Sequence, residues 1–412
     1  MPPYLGFGIG GEGFAISLKR ILLIILFISL TLSLTQNLKH IAQRMSPVYQ
    51  QNRAMINILL LFFVVKLFSL TMNSREVSQY IMILIEFLSS VFIIILTILL
   101  IHTKESIDQL VKIIFYGYTI VLIFVLLEFI LKYPIYGTLA SDKIMLLTDA
   151  TMGLTRSGMY RVRTSFLNSI VLGQYLVILF PMVVAYIYKN NYSLLLKMIY
   201  LLLFIFAIYS TGSRSAIVMS MILVYIYLVL NIYRRGKEYR LIAHMLNVIV
   251  IGVVFYFLFN YIHMLIMNFH GRFDLLSGGE EVRSSTSRAL QYVAVYDKIQ
   301  EAPFFGFGKE RNFVTKFDFY AIDNYYFWII LEVGLIGTLL YLLFYYFLIK
   351  TALNLYKRSH RHYYLLPTLI GILLIIGSMF LVQPPDNHIY LYLFAGLICV
   401  MKALQTNKKV LM

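Results

Sequence analysis

Long apolar stretches recur along the whole chain, each broken by a short polar one. A run of about 20 apolar residues is the length that carries a helix across a bilayer. On that measure helices are predicted at 18–34, 54–71, 80–101, 111–131, 166–188, 194–210, 216–233, 241–267, 324–349, 365–382 and 389–401. That makes about eleven transmembrane helices. None of the runs alternates apolar and polar residues, so the pattern excludes a β-barrel and predicts an all-α polytopic membrane protein. Residues 1–17 are Gly-rich and too broken to span, and read as a loop or re-entrant piece. Two polar stretches stand out, 132–165 and 268–322. The whole of 1–412 is one transmembrane domain with two large loops, without a soluble domain or a tandem repeat.

Composition agrees: 60% of residues are hydrophobic and 13% charged, with a mean hydropathy of +0.80, where soluble domains average about 25% charged. The net charge of +16 does not indicate nucleic acid, because much of it lies in short loops beside apolar runs. Arg234, Arg235, Lys237 and Arg240 share one loop, and Lys350, Lys357, Arg358 and Arg361 another. Lys402, Lys408 and Lys409 follow the last span; Lys39, Arg44 and Arg53 follow the first. Alternation puts all four groups on one side, which the positive-inside rule makes the cytoplasm. Both large loops then lie outside. Lys19 and Arg20 oppose this assignment, which leaves room for a helix ahead of the first. Low charge, abundant Ile, Tyr and Lys and no eukaryotic targeting motif point to a bacterial inner membrane. The single cysteine, Cys399, sits in an apolar run and excludes a disulfide framework and a thiolate metal cluster.

The chemistry concentrates on the outer side. Tyr209-Ser210-Thr211-Gly212-Ser213-Arg214-Ser215 is a short polar turn between two spans. Gly212 allows the tight turn, and Ser213 and Ser215 can cap the next helix. A guanidinium there either snorkels to the interface or meets an anion, and arginine suits bidentate phosphate binding. Arg156, Arg161 and Arg163 run into a helix start, where they form an anion site or contact headgroups. In the second loop, Ser284-Ser285-Thr286-Ser287 precedes an amphipathic surface helix with Ala289, Tyr292, Val293, Tyr296 and Ile299 on one face. Pro303 ends it, and Gly306-Phe307-Gly308 makes a tight turn. Asp323 is either the N-cap of the following helix or a general base at the mouth of a cavity. Glu332 lies two turns into hydrocarbon and needs a partner, for which arginine is the natural choice. Gln383-Pro384-Pro385-Asp386-Asn387-His388 is a third external turn that carries an acid/base pair or, the favoured reading, plain turn chemistry. Lys66, Glu86, Glu128 and His263 are expected to form internal pairs. No Walker A, HExxH, CxxC or DxD-type carboxylate pair occurs, so ATP hydrolysis, zinc chemistry and a metal-chelated sugar nucleotide find no support.

Three stretches resemble the O-antigen ligase and polymerase family of bacterial envelopes. These are Arg163-Thr164-Ser165-Phe166-Leu167-Asn168 with Gly173-Gln174-Tyr175-Leu176 and Pro181; Thr211-Gly212-Ser213-Arg214-Ser215; and Arg288 to Tyr292 with Pro303-Phe304-Phe305-Gly306-Phe307-Gly308. Asp323-Asn324-Tyr325, with Glu332-Val333-Gly334-Leu335-Ile336-Gly337, is similar to the family's His-Asn segment and Gly-rich helix. The resemblance implies a membrane-embedded, inverting glycosyltransferase of the GT-C type, without metal or cofactor. Its donor and acceptor would be polyprenyl-diphosphate-linked oligosaccharides, joined into O-antigen or capsular polysaccharide at the outer face of the cytoplasmic membrane. Arg214 and one of Arg161 and Arg163 would hold the diphosphate, and Arg288 would bridge it or position a sugar. Asp323 would be the base, with Asn324, Tyr292 and Tyr325 lining the sugar site. Chain-length regulator and flippase proteins are the implied partners. Asp323 stands where ligases commonly carry histidine, which favours a polymerase over a ligase. A lipid-linked oligosaccharide flippase is the alternative from another class, and would show broken helices in matched halves.

Overall fold

The computed structural model describes residues 6–8, 15–73, 77–133, 155–156, 159–166, 168–234, 291, 294–308, 322, 324–358, 363–381 and 387–410. Its helices are α1 (Leu18–Asn73), α2 (Val77–Phe87), α3 (Ile93–Leu100), α4 (Lys104–Leu131), α5 (Ser169–Lys189), α6 (Leu194–Thr211), α7 (Arg214–Arg234), α8 (Tyr325–Arg358), α9 (Leu365–Leu381) and α10 (His388–Val410). A π-helical turn, Leu88–Phe92, joins α2 to α3, so these two elements make one span. Among the described residues, seven helices are long and apolar enough to cross a membrane; α7 and α9 carry shorter apolar stretches. The protein is an all-α polytopic membrane protein. The span expected at 241–267 lies outside the described residues, as do His263 and most of both large loops.

Two antiparallel hairpins complete the description. Strand β1 (Gly6–Gly8) pairs with β2 (Ala15–Ser17) inside the stretch expected to be a loop, and β3 (Thr155–Arg156) pairs with β4 (Met159–Tyr160). The boundary between the first two expected spans is a clear correction. Residues 18–73 form one helix, roughly 84 Å long at 1.5 Å per residue. No glycine lies between Leu34 and Ala54, Leu, Lys, Ala, Gln, Arg and Met recur there as good helix formers, and Pro47 is accommodated inside.

Helix ends follow local chemistry. The Thr103, Asn168 and Ser193 side chains accept backbone N–H groups at the starts of α4, α5 and α6. At the centre stands α5, with nearly every side chain buried among α4, α6, α7 and α9. Lipid tails are as apolar as leucine, so such packing relies on close approach. Gly173 of α5 shows it, since a Cβ there would lie 2.5 Å from the Ala216 Cβ of α7. On the other side of α9, α1 packs along α8, and α10 along α3.

Hydrogen bonds place the ends of these helices on two faces. Asn387, at the start of α10, donates to the Val171 carbonyl of α5 at 3.1 Å, and Asn324, before α8, to the Phe380 carbonyl of α9 at 3.3 Å. Val162 donates to the Ser210 carbonyl at 3.0 Å. The starts of α5, α7, α8 and α10 therefore share one face, the arginine face. On the other, Lys402 bonds the Gln51 carbonyl and Lys189 pairs with Asp108. Arg53 thus shares a side with Lys402, as the charge pattern expects.

Candidate functional site

Strand β4 leads into Tyr160–Thr164, and this short segment is bonded on both sides. Toward α6, Val162 meets the Ser210 carbonyl and the Arg161 Nε donates to the Thr211 carbonyl at 3.0 Å. Toward α4, the buried Glu128 carboxylate accepts the Arg163 backbone N–H at 3.0 Å and the Tyr160 hydroxyl at 3.3 Å. Burial first, then the Glu128 carboxylate, push the Tyr160 phenol well above its usual range, so it stays protonated as the donor. Val162, Arg163 and Thr164 are buried, so the end of the first large loop is packed rather than solvated.

The turn after α6 is built as its sequence predicts. Gly212 has φ +56°, a left-handed conformation costly for a residue with a Cβ. A Cβ there would also lie 3.2 Å from the Arg161 Cγ, so Arg161 lies directly against the turn. Ser213 caps α7, its Oγ accepting the Ala216 N–H at 3.3 Å and lying 2.9 Å from the Ser215 Oγ. Arg214 is the first residue of α7 and is exposed, two positions beyond the glycine against which Arg161 rests. Arg161 and Arg214 thus flank the N-terminus of α7, where unsatisfied N–H groups and the helix dipole favour an anion.

The second element of the site is a break in α8. Gly334 has φ 65° and ψ −168°, which separates residues 325–333 from the rest of the helix. The Pro303–Gly308 segment enters this break. Phe307 donates to the Leu331 carbonyl (2.7 Å), Gly308 to the Glu332 carbonyl (3.0 Å), Leu335 to the Pro303 carbonyl (2.8 Å) and Ile336 to the Phe304 carbonyl (3.2 Å). The backbone groups orphaned by the break are therefore satisfied by the loop, as burial in a membrane requires. From α1, the Ser69 hydroxyl donates to the Glu332 carbonyl at 2.7 Å and Asn73 to the Gly306 carbonyl at 3.0 Å.

Several expectations change here. The partner of Glu332 is Lys66, not arginine: the Lys66 Nζ lies 3.0 Å from Glu332 and 2.6 Å from Glu86, joining α1, α2 and α8. Lysine reaches both carboxylates because its compact ammonium sits between two helices. The N-cap of α8 is Asn324, whose Oδ1 accepts the N–H groups of Tyr326 (2.9 Å) and Phe327 (3.3 Å). Its side chain is thereby bonded to backbone. Tyr325 is buried, with its ring 4.2 Å from that of His388 and 6.2 Å from that of Tyr341. The surface helix at 294–301 buries Gln291, Ala294, Val295 and Lys298 and exposes Tyr296. That face is turned from the expected one, although Ile299 of the expected face also packs inward, because the helix lies against Ile322 and Leu331 at the α8 start. Lys298 there meets Glu301 at 2.6 Å and the Phe307 ring at 5.6 Å. The Gln383–His388 turn ends in two residues tied into the core, since Asn387 is buried and also reaches Gln174 at 3.3 Å.

Arg161, Arg163 and Arg214 are thus brought together, while Asn324 and Tyr325 belong to the α8 start. Asp323, Arg288 and Tyr292 lie outside the described residues. Glu128 was expected only to pair internally; its place beneath the arginines was readable only as a carboxylate near the end of an apolar run. Among the described residues no group of His, Cys, Asp and Glu is arranged to hold a metal ion.

A comparison with curated proteins finds no match to the chain. A protein-family model described as O-antigen ligase matches residues 199–342. That stretch runs from α6 through the Gly212–Arg214 turn and the Pro303–Gly308 segment past the break in α8, and over it the chain is similar to the O-antigen ligase family.

Proposed function

We propose that the protein is an inverting glycosyltransferase that polymerises polyprenyl-diphosphate-linked oligosaccharide repeat units into O-antigen or capsular polysaccharide. The reaction would take place at the outer face of a bacterial cytoplasmic membrane, because the lysines and arginines of the short loops collect on the face opposite Arg214. The observation that supports the reading is that Arg161 lies on the turn that Arg214 follows, at the start of α7. The polyprenyl diphosphate that departs from the donor's anomeric carbon gathers negative charge, and fixed guanidinium groups stabilise that charge as it forms.

In this mechanism Arg214 and one arginine of the Arg161/Arg163 pair hold the diphosphate of the donor, without a metal ion or cofactor. The acceptor hydroxyl attacks the anomeric carbon from the face opposite the leaving diphosphate. The new C–O bond forms as the bond to the diphosphate breaks, and the hydroxyl proton passes to Asp323. Arg288 would bridge the phosphates or position a sugar, and Tyr292 would stack on a sugar face. Asn324 and Tyr325 act indirectly, by fixing the start of α8 that follows Asp323.

A ligase of the same fold, passing finished polymer to another acceptor, has about equal support, since the matching family is described as O-antigen ligase. Purified protein given lipid-linked repeat units alone decides between them. Longer lipid-linked chains are expected; unchanged repeats, with transfer seen only when a second acceptor is added, would favour the ligase. Movement of repeats across a vesicle membrane without any new glycosidic bond would indicate a flippase, and would remove the enzyme reading altogether.

A further inference from the structure

Both ends of the second large loop are built into one packed unit. Val295, Ile322 and Leu331 pack together with Ile299, Phe307 and Trp328, so residues 294–308 and the start of α8 lie against each other. Asp323 stands in the chain between Ile322, packed in this unit, and Asn324, the cap of α8. The unit is in turn fastened to the last two turns of α1, a helix outside the stretch that the family model matches.

Ser69 makes the fastening. It is fully buried, and its hydroxyl donates to the Glu332 carbonyl at 2.7 Å while accepting the Gly308 N–H at 3.0 Å. One turn on, Asn73 donates to the Ser69 carbonyl at 2.8 Å and to the Gly306 carbonyl at 3.0 Å. A hydroxyl inside a helix can bond back to a carbonyl three or four residues earlier, as those of Thr71, Ser210, Ser220 and Ser378 do. The Ser69 hydroxyl instead crosses to α8, where the break at Gly334 has taken the Glu332 carbonyl from its helical partner: the Ile336 N–H bonds Phe304. One oxygen atom thus joins α1, the inserted segment and the outer half of α8.

We propose that Ser69, supported by Asn73, is a positioning residue for the transfer reaction, holding the unit that contains Asp323 against α1 throughout turnover. The proposal rests on the reading of Asp323 as the base. A reacting group misplaced by about 1 Å costs about 100-fold in rate, so a hydroxyl that fixes the flanks of Asp323 acts on kcat without touching substrate.

The test is Ser69→Ala in full-length protein, with lipid-linked repeat units as substrate and both constants expressed per folded molecule. The kcat should fall at least about tenfold while the donor KM stays within about twofold, because the arginines at the start of α7 are untouched. A serine that served stability alone would reduce the amount of folded protein and leave both constants of the remainder unchanged, and that result would overturn the proposal. A second variant decides even if Ser69→Ala does not accumulate. A Cβ on Gly308 lies 3.6 Å from the Asn73 Cβ, within disulfide reach, and Cys399 is buried and does not compete. Asn73→Cys/Gly308→Cys should therefore cross-link, and its oxidised form should turn over at least as fast as its reduced form. Failure to cross-link, or activity that vanishes on oxidation and returns with reductant, would overturn the proposal, the latter because the segment would then have to leave α1. Asp323→Asn is run alongside: full turnover there removes the base reading. Exchange of the Gly308 amide, expected to be at least about fivefold faster in Ser69→Ala, still reports on the fastening, and an unchanged rate would overturn it.

Discussion

Replacing Gly306 with alanine puts a methyl carbon 2.5 Å from the Leu331 carbonyl oxygen and 2.6 Å from the Gly334 nitrogen. Both are backbone atoms of the broken helix, so neither can swing aside. Gly306 also has φ +68°, which costs an alanine roughly 1–2 kcal/mol before any overlap is counted. What holds the segment in the break is four backbone hydrogen bonds, worth about 4 kcal/mol together at about 1 kcal/mol net apiece. The strain plus two overlaps exceeds that, so the segment should leave the break rather than tolerate the methyl group. Hydrogen exchange on detergent-solubilised protein reads this directly. The Phe307 and Gly308 amides, protected by the Leu331 and Glu332 carbonyls, should exchange up to about 1,000-fold faster. Transfer activity should fall with it, because the start of α8 loses its anchor. Gly117→Ala is the control: it lies in α4 with no atom within 4 Å of the added Cβ. It should leave stability unchanged or raise it by up to about 1 kcal/mol. If Gly306→Ala proves as silent as Gly117→Ala, the insertion into the α8 break is wrong.

Further outcomes follow from the same contacts. Lys66→Met strands the Glu86 and Glu332 carboxylates in the core and should cost roughly 3–5 kcal/mol, read as a lower unfolding temperature in detergent. Adding Glu86→Gln and Glu332→Gln to it should restore most of that loss, and no recovery would refute the triad. Gly212→Ala strains the turn by roughly 1–2 kcal/mol and displaces Arg161, whose side chain can yield. Transfer should therefore fall at least about tenfold while the unfolding temperature moves little, and an equal loss of both would make the turn merely structural. Asn324→Ala removes the α8 cap and should cost about 1 kcal/mol of stability; Asp323→Asn should instead abolish turnover without that loss.

The helices were legible because apolar length is a direct signal: 194–210 and 365–382 fall within a residue or so of α6 and α9. The Gly212–Arg214 turn was legible too, since glycine, serine caps and two flanking spans leave one local solution. What hydropathy does not encode is the partner across space. A cation for Glu332 was required, but lysine on α1 and arginine in a loop satisfy that requirement equally in sequence. The break at Gly334 was hidden, because Gly334 and Gly337 read as part of one Gly-rich helix until the Pro303–Gly308 segment is seen between the two halves. The face of the 294–301 helix was misread for a related reason. A stripe of tyrosine and valine suits a membrane surface, whereas Gln291 and Lys298 turn inward because protein, not lipid, covers them. Continuous helix across 35–53 follows from an absence, the lack of any strong breaker before Pro47, and polarity alone suggested a loop there.

The central claim is that two arginines at the start of α7 carry the charge of a departing diphosphate. Its most direct test is the turnover of lipid-linked repeat units by purified Arg214→Lys and Arg161→Lys variants, in excess EDTA, beside the parent protein. The account predicts undiminished parental turnover in EDTA and a loss of roughly 100-fold in each variant, since lysine keeps the charge but not the two-pronged grip. Full activity in Arg214→Lys, or a parent that stops when EDTA is added, would contradict it.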